Sequence, residues 1–420
     1  MGAVKAAPML YKCRKKCYTV GIEQITEENT VYEENNNVDQ LIADIHACLE
    51  EPELPRPAQD PAPRPSKKKK KSAFRKVMTV LATVFIILLE TVLLLAGALY
   101  GVMYVLAKGP SPTARDMFIR SVRETSAVGF LANLFYTEEE ITQMLGTVTV
   151  PDYVETDSSL IQIPTKPDPD DPNQPTGPVE DEWGLVDEDG DGIILEQVRG
   201  EGYTGYMMVV LDPSRVIMGS VPESYGGRGY TVEQMVKKFD AVAGINGGGF
   251  YDPDGKGNGS IPDTMVVYDG QIYYEENGTR WGFAGFDSNH ILHVGNFSAS
   301  EIRNRDIQYG VCFGPVLIVN GVPVDDLDSG VNPRTAIGQR SDGAVLMLVV
   351  DGRQVSSLGA TYGDLIEIML SYGAVNACNL DGGSSSMMWY QDKYVNSSAS
   401  VIGIRPIPTA FLVLKEGESW

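Results

Sequence analysis

Val77 to Ala107 is an apolar run interrupted by one charge, Glu90, and by a few small or hydroxyl residues. No other feature constrains the chain as strongly. It exceeds the ~20 residues a bilayer crossing requires, so it is expected to form one tilted transmembrane helix. It lies too far from Met1, and is too long, for a cleaved signal peptide. Lys67 to Lys71, extended by Arg75 and Lys76, form a basic block directly before the run. That block predicts a cytoplasmic N-terminus and a C-terminal region outside the cytoplasm, as in a single-pass cell membrane protein. Glu90 is costly in such a span. Protonation, a partner helix in the membrane, or a path to water would each relieve it.

The run divides the chain. Residues 1–76 form a polar tail in which Val38, Leu41, Ile42, Ile45 and Leu49 could make one short amphipathic helix. A proline-rich spacer, 51–65, precedes the basic block. After the span, residues 108–149 are expected to form a membrane-proximal helical stalk, with Met117, Phe118, Val122, Phe130, Leu131, Leu134 and Phe135 as apolar positions. Residues 150–190 are rich in Pro and Asp and read as an extended linker. The linker ends in Asp187-Glu-Asp-Gly-Asp-Gly192, which begins like a calcium loop. Its twelfth position is Val198, where a bidentate glutamate is needed, so an EF-hand is rejected.

Residues 191–420 read as a folded α+β domain with a mainly antiparallel sheet and flanking helices. Tyr206 to Leu211 is a strand, and Thr231 to Phe239 a helix leading into the apolar Ala241–Asn246. Hairpin signals recur at Asp269-Gly270, Asn320-Gly321 and Asp342-Gly343, each between apolar runs. Leu365, Ile366, Met369 and Leu370 have helical spacing, Gly373 can end that helix, and Ala374–Leu380 is a buried strand. The net charge of −22 argues against nonspecific nucleic-acid binding, so an anionic substrate would need local arginines. Cys312 and Cys378 are the only cysteines in this domain, so its stability is not expected to rest on disulfides; Cys13 and Cys17 lack a second pair for zinc.

Four clusters could carry chemistry. Three glycines, Gly247, Gly248 and Gly249, follow Asn246 and continue through Asp252 toward Asp263. Asn332-Pro-Arg-Thr places Arg334 and Thr335 at a strand start, and a second apolar strand ends in Asp351 and Arg353. The fourth cluster is Asp381-Gly382-Gly383-Ser384-Ser385-Ser386, where a carboxylate ends a buried strand and the turn can present N–H groups to an anion. Each alone also fits a tight turn that satisfies its own backbone. A Ser-His-Asp triad is disfavoured: His290 and His293 are the only histidines of the domain, they lie three apart, and no Gly-x-Ser-x-Gly elbow is present. No paired-His motif supports catalytic zinc.

Together, Asn246-Gly-Gly-Gly-Phe, Pro333-Arg-Thr-Ala-Ile-Gly, Val350-Asp-Gly-Arg and Asn379-Leu-Asp-Gly-Gly-Ser resemble the phosphodiester glycosidase family, in the right order over roughly residues 192–418. This chain has Ser384 where many relatives carry a third glycine. The resemblance implies hydrolysis of a sugar-1-phosphodiester of envelope or exopolysaccharide glycans, releasing sugar and phosphomonoester. Under it, Arg334 and Arg353 would neutralise the phosphate, Asp381 or Asp351 would be nucleophile or base at the anomeric carbon, and Asn246 would orient the sugar. Gly247, Gly248, Gly249, Thr335, Gly382, Gly383, Ser384 and Ser385 would line the substrate site. No cofactor is expected, with a structural calcium ion the one addition the aspartates allow. A silent phosphoglycan-binding module and an envelope-assembly protein are the alternatives.

Overall fold

The computed structural model describes residues 68–125, 128–145, 155–164, 180–253, 257–275, 280–325, 327–400 and 403–420. The tail, with the short helix and the proline-rich spacer expected in it, stalk residues 146–149, and linker residues 150–154 and 165–179 lie outside these. Helix α1, Lys68–Lys108, contains one stretch long and apolar enough to cross a membrane, Phe74–Lys108. From Ile87 to Trp420 the chain forms one compact unit, and the part of α1 before it stands as a separate one.

The stalk is three short pieces rather than one helix: α2 (Pro112–Arg123), a 3-10 turn over Gly129–Leu134, and α3 (Glu138–Leu145). Local chemistry explains the breaks. Ser111 caps α2, accepting from the Ala114 N–H at 3.2 Å, with Pro112 at the first helical position. Thr137 and Glu140 cap each other's backbone N–H groups at 2.8 and 3.2 Å, which starts a new helix. Ile119, Ala132, Tyr136 and Ile141 bury a small core against Ala107 at the end of α1.

The domain holds three sheets, and every ladder among the described residues is antiparallel. A seven-stranded sheet runs β1 (Ile193–Gly200), β2 (Tyr203–Val210), β13 (Val345–Val350), β12 (Arg334–Arg340), β14 (Ala374–Leu380), β10 (Val316–Val319), β11 (Val322–Pro323). A five-stranded sheet runs β16 (Lys393–Tyr394), β15 (Met388–Tyr390), β4 (Ala243–Asn246), β17 (Thr409–Val413), β3 (Val216–Ser220). The third runs β6 (Gln271–Tyr273), β5 (Val266–Tyr268), β9 (Ile307–Cys312), β7 (Trp281–Asp287), β8 (Leu292–Phe297). Side chains from all three, among them Met208, Ile245, Phe286, Ile337 and Phe411, share one core. Helices α4 (Val232–Lys238), α5 (Ala299–Asn304) and α6 (Tyr362–Ser371) flank the sheets. The architecture is thus α+β and mainly antiparallel.

The three hairpin signals join β5 to β6, β10 to β11 and β12 to β13. Asp269, Gly270, Asn320 and Gly321 all have positive φ, between 51° and 76°, as a two-residue turn with right-handed twist demands. Thr361 and Asp364 form the capping box that starts α6. Arg340 is buried without exposed side chain, held by Asp181 at 2.7 Å and Asp342 at 2.5 Å and lying 3.8 Å from the Trp183 ring centre.

Residues placed in the linker by sequence are in part packed on this unit. The Gln162 N–H donates to the Ser341 carbonyl at 2.7 Å, the Val294 N–H donates to Thr156 Oγ1 at 3.2 Å, and Trp183 covers Arg340. The stalk docks as well. Arg120 pairs with Asp328 at 2.9 Å, and Ser121 Oγ accepts from the Val331 N–H at 2.9 Å. The ends of the linker region are therefore structure, because their polar groups close onto the domain.

Candidate active site

Strands from two different sheets end side by side. β14 delivers Asp381, and β4 delivers Asn246-Gly247-Gly248-Gly249. The Asp381 N–H donates to the Gly247 carbonyl at 3.1 Å, and Asn246 Nδ2 donates to the Asp381 carbonyl at 2.6 Å. Asn246 Oδ1 accepts from Thr335 Oγ1 at 2.8 Å and from the Met387 N–H at 3.1 Å. Fully buried, with its amide oxygen accepting two bonds and its nitrogen donating one, Asn246 ties two sheet ends together and fixes the backbone of Asp381. Gly382 approaches the Pro333 carbonyl so closely that a Cβ there would lie 2.8 Å from its oxygen, and Gly383 has φ +62°. Both positions need glycine.

The turn opens onto a cavity of about 350 Å³. Of the residues singled out by sequence, Asp381, Arg334, Arg353, Gly249, Gly382, Gly383, Ser384 and Ser385 line it together. Asn246, Thr335, Gly247 and Gly248 are not among the residues that line it. Asp351 is 7% exposed and accepts from Asn396 Nδ2 and the Ser397 N–H, each at 3.0 Å. Burial pushes its carboxyl up against those two bonds. Asn396 also donates to the Ser386 carbonyl at 2.9 Å, so Asp351 braces the serine turn from outside the cavity.

Two charged groups flank the turn. On one side Arg334, 5% exposed, stacks 4.3 Å from the Tyr362 ring and donates to the Ala360 and Gly330 carbonyls at 3.1 and 2.7 Å. Its Nη2 also meets Glu124 Oε2 at 2.7 Å. Glu124 accepts further from Asn332 Nδ2 and the Gly330 N–H, both at 2.9 Å. Arg353 donates to the neutral oxygens of Thr125 and Asn332 at 2.7 and 3.1 Å. Burial and then the Arg334 charge lower its pKa, with Glu124 opposing. Two adjacent guanidiniums with one carboxylate between them leave a net positive pocket wall.

On the other side Arg405 grips Asp252 with both nitrogens, at 2.6 and 2.7 Å, and donates to Ser384 Oγ at 3.2 Å. Burial works to raise the Asp252 carboxyl, but this fork and the Gly257 N–H outweigh it and hold it low. Asp263 is raised by burial and by the Asp252 charge. Asp381 is the most perturbed of the three. Burial pushes its carboxyl up to about 7, with Ser385, Arg405 and the Gly382 N–H opposing and Asp252 adding to it. One carboxyl near neutrality beside a second held ionised is the pattern of an acid–base site.

Sequence reasoning did not find Arg405, Glu124, Thr125, Phe313 or Tyr362, all of which line the cavity. Arg405 had one signal: it is the only basic residue between Lys393 and Lys415. Away from the cavity, the Asp187, Asp189 and Asp191 carboxylates converge within 4.8 Å, an oxygen-rich set of the kind hard cations take. Asp191 also accepts from the Tyr390 hydroxyl at 2.8 Å.

Residues 239–414 match the family model described as phosphodiester glycosidase. The SPbeta prophage-derived uncharacterized protein YomE of Bacillus subtilis (strain 168) is 32% identical over 181 residues, 40% of this chain and 27% of its own length. Human N-acetylglucosamine-1-phosphodiester alpha-N-acetylglucosaminidase is 26% identical over 216 residues, 46% of this chain and 41% of its own. The chain thus spans well under half the length of either relative. The catalytic domain of the zebrafish N-acetylglucosamine-1-phosphodiester alpha-N-acetylglucosaminidase overlays at a TM-score of 0.45 and 19% identity, over 53% of this chain and 82% of that one. The segment that matches the phosphodiester glycosidase family model contains Asp381, Arg334, Arg353 and Arg405, so the similarity to that family includes the side chains that line the cavity.

Proposed function

We propose that the domain hydrolyses a sugar-1-phosphodiester, of the N-acetylglucosamine type or close to it, in glycans outside the cytoplasm, with α1 as a single-pass anchor. The observation that carries this reading is the Asp381 carboxyl, held near neutrality in a cavity it shares with Arg334 and Arg353. Arg353, assisted by Arg334, takes the phosphate oxygens. A phosphomonoester is a good leaving group, so the anomeric C–O bond breaks without strong acid help. Ionised Asp381 takes the proton of the attacking water, whose oxygen bonds to the anomeric carbon as the phosphate departs with the bonding pair. Asp252 and Asp263 add negative potential to the cavity, which favours positive charge developing on the sugar ring. The basic block ahead of the apolar run of α1 supports the orientation.

The test is a panel of sugar-1-phosphodiesters given to the full chain in detergent, with free sugar and phosphomonoester both measured. The expected kcat/KM rises through about pH 7, as Asp381 ionises, and Asp381→Asn lowers turnover by several orders of magnitude while ligand binding persists. Ligand binding without turnover across the panel would instead make the domain a phosphoglycan-binding module.

A further inference from the structure

The end of α1 and the stalk present an apolar surface next to the cavity. Tyr100 and Tyr104, on the last turns of α1, face Phe135 at ring-centre distances of 5.7 and 6.5 Å. The Tyr136 hydroxyl donates to the Ala107 carbonyl, and Lys108 lies over the Tyr136 ring. The turn beside these contacts leaves two large apolar side chains, Phe130 and Leu134, 62% and 53% exposed. Tyrosines and a lysine at the end of an apolar span mark the headgroup layer. The turn that bears Phe130 and Leu134 is packed against that same level of the helix.

The cavity wall is close by. Glu124 and Thr125 follow Lys108 through α2 and short connections, which together reach at most about 37 Å. The wall is also fixed to the domain: Glu124 is held by Arg334, Asn332 and Gly330, and Thr125 by Arg353. The cavity is therefore mounted at the end of the span and not on a long leash.

We propose that Phe130 and Leu134 sit in the headgroup layer of the bilayer that α1 crosses, and that the cavity acts there on sugar phosphodiesters whose other end is anchored in that membrane. The substrate half of this inference rests on the glycosidase reading, and the contact half does not. Confinement of enzyme and substrate to one surface raises their effective concentration.

The test uses the full chain reconstituted in vesicles. Phe130→Trp, measured against the parent, should add fluorescence that brominated phosphatidylcholine quenches by about half or more; added emission that is not quenched overturns the contact. Two phosphodiesters with the same sugar are then compared, one with a methyl ester and one with a diacylglycerol ester. The lipid-borne ester should show a kcat/KM about tenfold higher or more. Phe130→Ser with Leu134→Ser should remove that advantage and leave the methyl ester rate unchanged. Equal rates for both esters overturn the substrate half. Cleavage of neither, with quenching intact, refutes the glycosidase reading and the substrate half with it, while the contact stands.

Discussion

Replacing Asp381 by Asn should make the protein more stable at alkaline pH, although it removes the group that the proposed reaction uses. The folded chain holds this carboxyl near a pKa of about 7, against an ordinary value of 3.8. Between those values the unfolded chain has lost the proton that the folded chain keeps, so stability falls as pH rises. Above about pH 8 both states are ionised, and the fold carries the full penalty of a charge taken from water. The gap corresponds to about 4 kcal/mol, and water entering the cavity reduces it to about 2–4 kcal/mol. Asparagine has nearly the same shape and no charge, so it escapes the penalty. In a domain of this size the gain amounts to about 5–15 °C in Tm at about pH 8, vanishing near pH 4. Melting of parent and variant across that range, followed by circular dichroism or calorimetry, measures it. If the variant melts at or below the parent at every pH, the carboxyl is not held against its charge, and Asp381 serves the turn alone.

Arg353→Lys keeps the charge but loses the planar fork, so KM for a phosphodiester should rise about tenfold or more with little change in Tm. Arg334→Lys should weaken binding as well and also lower Tm, since its guanidinium closes Glu124, Ala360 and Gly330 together. Arg340→Met leaves the partly exposed Asp181 and Asp342 without their shared cation and should cost about 1–3 kcal/mol in denaturant unfolding, with the KM of the remaining folded protein unchanged. Turnover should survive a zinc-selective chelator, because the cavity's ionisable side chains are carboxylates, arginines and a tyrosine; loss restored only by zinc would refute a mechanism carried by carboxylate and arginine.

Local signals made parts of this molecule legible from sequence. The three turns that join β5–β6, β10–β11 and β12–β13 each declare themselves in two residues, and α6 followed by β14 is written in helical spacing, a glycine stop and an apolar strand. Asp381 was legible for the same reason, as the polar end of that strand. What escaped depends on long-range closure. Glu124 meets Arg334 across 210 residues, and Arg405 meets Asp252 across 153, and neither Glu124 nor Arg405 lies in a motif. Asp351 and Arg353 have similar sequence settings, two residues apart, yet one faces Asn396 and the other the cavity. A local pattern places a side chain at a strand end, and only the neighbouring sheet decides which way it is used.

The amide of Asn246, buried between two sheet ends, has a consequence for how such a protein can change. The backbone that carries the Asp381 carboxyl is held by a joint in the framework, so its position is insulated from the loops around the cavity mouth. Under the proposed reaction, loops that meet the sugar or the aglycone can lengthen, shorten or be exchanged while the joint keeps its geometry. A fold built this way separates the inheritance of a reaction from the inheritance of its substrate, and allows the second to drift while the first is kept.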